Sequence, residues 1–108
     1  MKDLTPRERW DVWMVQAQRF ARRENYIDAL GRLRLVLREV DEAVAAEADP
    51  AAKKKLERFR HRVARRRDRI REKFETWNAA IAARRAQNTA DAEQEMKRPL
   101  PLGPDEHI

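Results

Sequence analysis

Large apolar residues recur at steps of three and four from Trp10 to Ile81, interrupted twice by capping signals, and this spacing predicts three helices. Thr5-Pro6-Arg7-Glu8 opens the first. Thr5 caps, Pro6 suits the first helical position, and Glu8 stands where a capping box wants a carboxylate. Trp10, Trp13, Met14, Ala17, Phe20 and Ala21 make one apolar face of a helix over about 6–23. Arg22 and Arg23 fall in its last turn, where the helix dipole favours cations. Asn25 caps next, with Asp28 three residues on. Tyr26, Leu30, Leu33, Leu37, Val40 and Val44 follow at 4-3-4-3-4, and Ile27 and Val36 widen the stripe. This second helix, about 26–48, has a seam wide enough for two neighbours. With about two residues between them, the first two helices form an antiparallel hairpin. Asp49-Pro50 repeats the start signal. The third helix, about 51–87, carries Leu56, Phe59, Val63, Ile70, Phe74, Trp77 and Ile81 on one face. Asn88-Thr89 frays it, restarts it, or does neither.

The expected fold is therefore all-α: an antiparallel three-helix bundle or extended helical hairpin with a long third helix. It makes a helical domain over 1–96, followed from 97 to 108 by a Pro-rich extended tail that its prolines keep out of a helix. At 1.5 Å per residue the helices are roughly 27, 35 and 55 Å long, so the third overhangs the hairpin beyond about residue 73. Phe74, Trp77 and Ile81 lie on that overhang, and large apolar side chains there need a cover. Either the helix breaks near Thr76–Asn78 and bends back, or a second copy of the chain or another protein packs there. The partner surface is the preferred reading.

Composition narrows the class. Of 108 residues, 41% are charged and 42% apolar, with two glycines and no cysteine. That is the composition of long helices, and it excludes a disulfide framework, a thiolate metal site and a cysteine nucleophile. No run of about 18 apolar residues occurs, so no membrane span is expected. The N-terminus lacks the apolar core of a signal peptide, which makes the cytoplasm the default. The Ala/Arg-rich usage suits a bacterium of high GC content.

The stretch Ala17-Gln-Arg-Phe20-Ala-Arg-Arg-Glu-Asn-Tyr26-Ile-Asp-Ala29-Leu30 resembles a tetratricopeptide (TPR) hairpin. Ala17, Tyr26, Ala29 and Leu30 match the family's small, aromatic, small and aliphatic places, and Asp49-Pro50 matches its closing dipeptide. The resemblance covers about a third of the chain, and no second copy is visible. It departs from the family pattern at the turn, where Arg-Glu-Asn replaces the usual glycine, and in a longer second helix. It implies protein binding, not chemistry.

Charge is segregated within a formal net of +6. Residues 51–73 hold twelve Lys/Arg against three acids, a local net of +9, whereas residues 38–50 net −4. In a hairpin the acids Glu39, Asp41, Glu42, Glu47 and Asp49 lie beside the start of the third helix and offset Lys53, Lys54, Lys55, Arg58 and Arg60. Nothing comparable faces Arg62, Arg65, Arg66, Arg69 and Arg71, which sit near Arg32, Arg34 and Arg38 instead. Arg66 and Arg67 interrupt the apolar stripe and can snorkel. A solvated face is the bland interpretation. The functional one is an anion-binding surface, since the arginine fork matches carboxylate or phosphate bidentately. An acidic protein ranks first and nucleic-acid phosphate second. The aromatics lie on the apolar side and no Asn or Gln interleaves the arginines, so base stacking and base reading lack their usual residues.

Little else carries chemistry. His61 sits among arginines, His107 lies in the tail, and neither has a second ligand at metal spacing. No phosphate loop, nucleophile triad or paired catalytic carboxylates can be made out, and no cofactor or enzymatic activity is expected. Trp10 and Trp13 are core residues, or one of them anchors a partner. Arg98-Pro-Leu-Pro101-Leu-Gly-Pro104 fits the pattern read by SH3-type grooves. The expected function is a non-catalytic protein-interaction module, with a phosphate-contacting nucleic-acid-associated protein as the alternative.

Overall fold

The computed structural model describes residues 3–97. Three helices follow one another, α1 (Pro6–Arg22), α2 (Tyr26–Ala46) and α3 (Pro50–Lys97), and no strand occurs among the described residues. The chain is all-α, an antiparallel three-helix bundle with a long third helix. It divides into two compact units, Met1–Glu75 and Thr76–Ile108. The expected extended tail and its Arg98–Pro104 motif lie outside the described residues.

In the first unit each helix start is built as its capping residues dictate. Thr5 Oγ1 accepts from the Glu8 amide at 3.2 Å, and the Glu8 carboxylate accepts from the Thr5 amide at 3.4 Å, closing the capping box. Asp49 Oδ2 accepts from the Ala52 amide at 3.2 Å with Pro50 at the first helical position. Between α1 and α2 the chain turns in three residues. The Asn25 amide donates to the Phe20 carbonyl at 2.8 Å and the Glu24 amide to the Ala21 carbonyl at 3.1 Å. These are the two bonds of a Schellman motif, and Glu24 takes the left-handed conformation it requires, with φ 60°. Asn25 then caps α2 through its own Oδ1, which accepts from the Asp28 amide at 3.4 Å. One residue thus ends the first helix and begins the second.

The core consists of Trp10 and Ala17 from α1, Ala29, Leu33, Val36, Leu37 and Val40 from α2, and Phe59, Val63 and Ile70 from α3. Trp13, Met14, Phe20, Tyr26, Leu30, Val44 and Leu56 pack around it half-buried. Fully burying a side chain such as Leu33 stabilises by roughly 1.5–3 kcal/mol. Trp10 stacks on Phe59 at 5.7 Å, and Tyr26 meets Phe74 at 5.9 Å. The start of α2 therefore lies by the later part of this stretch of α3, and its end by the beginning, as an antiparallel pair requires.

Two local expectations change. Ile27 does not widen the seam; it is 70% exposed while Val36 is fully buried. Nine residues at about 100° each set the two on opposite sides of α2. The third helix also runs ten residues beyond the expected 87, to Lys97. Asn88 and Thr89 do not interrupt it. Thr89 Oγ1 bonds back to the Arg85 carbonyl at 2.9 Å without breaking the helix, and the i,i+4 bond from Gln87 Nε2 to Asp91 Oδ1 at 3.0 Å supports it. In the second unit, Trp77 and Ile81 are half-buried and the other described side chains are exposed.

Candidate functional site

The arginines of α3 fall into two sets. Arg60 pairs with Asp41 across the helix interface, and this carboxylate raises the guanidinium's pKa above its ordinary value. Arg67 pairs with the adjacent Asp68 at 3.1 Å. Arg62, Arg65, Arg66, Arg69 and Arg71 are all exposed, and among the described residues none of them has an ion pair or hydrogen bond. Arg62 makes one contact of note, its guanidinium lying 5.8 Å from the Phe59 ring centre.

Helix phase sorts these five further. Arg62, Arg65, Arg66 and Arg69 share an arc of about 100°, whereas Arg71 lies more than 90° outside it, across the buried face of Val63 and Ile70. The single surface expected from the sequence is therefore four arginines, extended by exposed Arg58 and Lys73 along the same edge.

Three acids that precede α3 are engaged elsewhere, whereas Glu57 and Glu72 stand exposed on α3 itself. Asp49 caps α3 and Glu47 accepts from the Asp49 amide at 3.1 Å. Glu39 turns toward α1. Its carboxylate takes Arg9 Nε at 3.1 and 3.2 Å, Arg9 Nη2 at 2.5 Å and Trp10 Nε1 at 3.3 Å. These donors, Arg9 foremost, hold Glu39 below the usual carboxylate range, and Glu39 in turn raises Arg9. Of the offsetting pairs expected between α2 and the start of α3, only Asp41–Arg60 forms among the described residues. The sequence sets Glu39 beside the start of α3, and the structure instead turns it to Arg9 of α1. The signal that could have found it was the hairpin register, which sets Arg9 opposite Glu39. The same register sets Gln16, seven residues on in α1, opposite Arg32, seven residues back in α2. Gln16 Oε1 and Arg32 Nε are both buried without a hydrogen-bond partner, and the Arg32 guanidinium lies 5.9 Å from the Phe20 ring centre.

The expected apolar site is divided. Phe74 belongs to the first unit, tilted against Tyr26. Trp77 and Ile81, four residues apart on one side of the helix, belong to the second. Trp10 is 4% exposed and forms core, while Trp13 is half-buried with the Arg9 guanidinium 5.6 Å from its ring centre.

His61 is exposed on α3 beside Lys54, Glu57, Arg58 and Arg62, along a shallow surface depression. Among the described residues no three His, Cys, Asp or Glu side chains gather as metal ligands, and no helix is long and apolar enough to cross a membrane. The geometry defines a class by architecture, a three-helix bundle that presents a basic helix edge. No protein-family model, curated protein or solved structure matches the chain.

Proposed function

We propose that this chain is a non-catalytic, adaptor-type interaction module whose α3 arginine edge recognises an acidic protein. The observation that carries this reading is the set Arg62, Arg65, Arg66 and Arg69, exposed, unpaired and held along one arc of a helix anchored by Phe59, Val63 and Ile70. A helix fixes the spacing of the guanidinium forks, so a partner with carboxylates at matching intervals meets them without ordering a loop. The TPR-like hairpin formed by Ala17, Tyr26, Ala29 and Leu30 fits a binding role. No cofactor or metal enters this reading, and its setting is the cytoplasm of a bacterium.

Nucleic-acid phosphate is the second reading, since it too is met by arginine forks. It ranks lower because Phe59 is buried and Phe74 is packed on Tyr26, so neither ring is free to stack on a base. Fluorescence anisotropy with labelled polyglutamate and labelled duplex DNA decides between them. Polyglutamate should bind more tightly at about 0.15 M salt, and the fourfold change of Arg62, Arg65, Arg66 and Arg69 to Glu should abolish its binding. Tighter binding of DNA, with affinity falling steeply as salt rises through counterion release, would favour the second reading.

A further inference from the structure

Two helices of the first unit bring a cation to the same ring. The Arg7 guanidinium of α1 lies 4.1 Å from the centre of the Phe59 ring, and the Arg62 guanidinium of α3 lies 5.8 Å from it. Phe59 is 6% exposed and stacked on Trp10, so the ring is a fixed point between α1 and α3. Its π-face attracts both guanidinium groups and holds them near one another.

Helix phase sets both cations on the flank that α2 leaves open. On α3, Arg60 meets Asp41 of α2 about 100° to one side of Phe59, and Arg62 lies about 60° to the other. Arg66 and Arg69 continue along the edge of Arg62 at steps of four and three. On α1, Arg9 meets Glu39 of α2, and Arg7 lies about 160° round the helix from Arg9. The arginine edge of α3 therefore has a neighbouring cation on a second helix.

The acids around this pair leave it net positive. Glu8 is turned to Thr5 in the capping box. Glu57 stands about 140° round α3 from Arg62. Asp11 alone reaches the pair, 3.6 Å from Arg7, and both of those side chains are more than half exposed. An exposed pair four residues apart on one helix is weak and screened, so another carboxylate can take the place of Asp11 at little cost.

We infer that Arg7 and Arg62 form a two-helix clamp beside Phe59 that takes a carboxylate of the acidic partner, while further partner carboxylates lie along Arg66 and Arg69. Asp11 is the internal competitor, which holds Arg7 until the partner displaces it. This inference rests on the preceding reading of the arginine edge as a site for an acidic protein, and adds to that site a residue of α1.

Fluorescence anisotropy with labelled polyglutamate at about 0.15 M salt tests it on the full chain. Arg7→Gln should weaken binding by about three- to fivefold. Arg71→Gln removes the same charge from a position off the edge and should weaken it by less than about twofold. Asp11→Asn should tighten binding by about twofold, and Glu42→Gln, an equal change of charge on α2, should tighten it less. All four side chains are exposed, and circular dichroism with thermal melting checks that each variant keeps the fold. An Arg7→Gln variant that binds as well as Arg71→Gln, or an Asp11→Asn variant no tighter than Glu42→Gln, would overturn the clamp while leaving the arginine edge in place. A wild type that does not bind polyglutamate would overturn the acidic-partner reading and the clamp with it.

Discussion

Glu39 couples the first two helices through a charge. Its carboxylate is 20% exposed and Arg9 is 37% exposed, and the Trp10 indole donates to the same oxygen as Arg9. The folded state prefers Glu39 ionised, so its folded pKa lies below the unfolded value near 4.5. The stability this supplies is present above the unfolded pKa and is lost as pH falls through the folded one. Glu39→Gln should lower the thermal midpoint at pH 7 and flatten the decline below about pH 4.5, which calorimetry across pH would read. Were the variant to lose stability with acid as steeply as the wild type, the pair would not be the cause. Glu24 is the second distinctive residue, because at its φ of 60° Cβ crowds the following carbonyl oxygen, a cost that only glycine escapes. Glu24→Gly should keep the hairpin intact, whereas Glu24→Val should destabilise by about 1–2 kcal/mol in urea denaturation.

Ala17 and Ala29 are the smallest residues in the core, and both are fully buried where α1 and α2 pack. Their size lets the helices approach, so Ala29→Leu should force them apart and cost about 1–3 kcal/mol, measurable as a lower urea midpoint. Helix starts were the most legible part of the sequence, because Thr5, Asn25 and Asp49 act within four residues of themselves. The apolar stripes were legible for the same reason, as Leu33, Val40, Phe59 and Val63 fall where the three-and-four spacing puts them. What depends on distant partners was not. The Arg9–Glu39 pair spans 30 residues and is set by hairpin register, which no local signal encodes. The division of the arginines is also a register effect, since Asp41 reaches Arg60 but no α2 acid reaches Arg62 or Arg66. The end of α3 was misjudged because Asn88 and Thr89 are poor helix formers in isolation. Here the i,i+4 bond between Gln87 and Asp91 bridges across them.

Among the described residues every buried apolar side chain lies between Trp10 and Ile70, inside the first unit. The helical turns from Thr76 to Lys97 contribute none. Helix stability in proteins comes mostly from tertiary packing, so local opening there costs little. Hydrogen exchange should therefore be fast at amides 82–97 and slowest in α2 near Leu33–Val40. Uniform protection along α3 would contradict this division.

The double duty of Asn25 has a kinetic consequence. Because one residue closes α1 and opens α2, the hairpin forms across a very short loop and its contacts are local in sequence. Contacts of Trp10 with Phe59 require a loop of nearly fifty residues to close. The hairpin should hence supply the folding nucleus, with α3 docking on the downhill side of the barrier. In a chevron analysis, Ala29→Gly should mainly slow folding, and Val63→Ala should mainly speed unfolding.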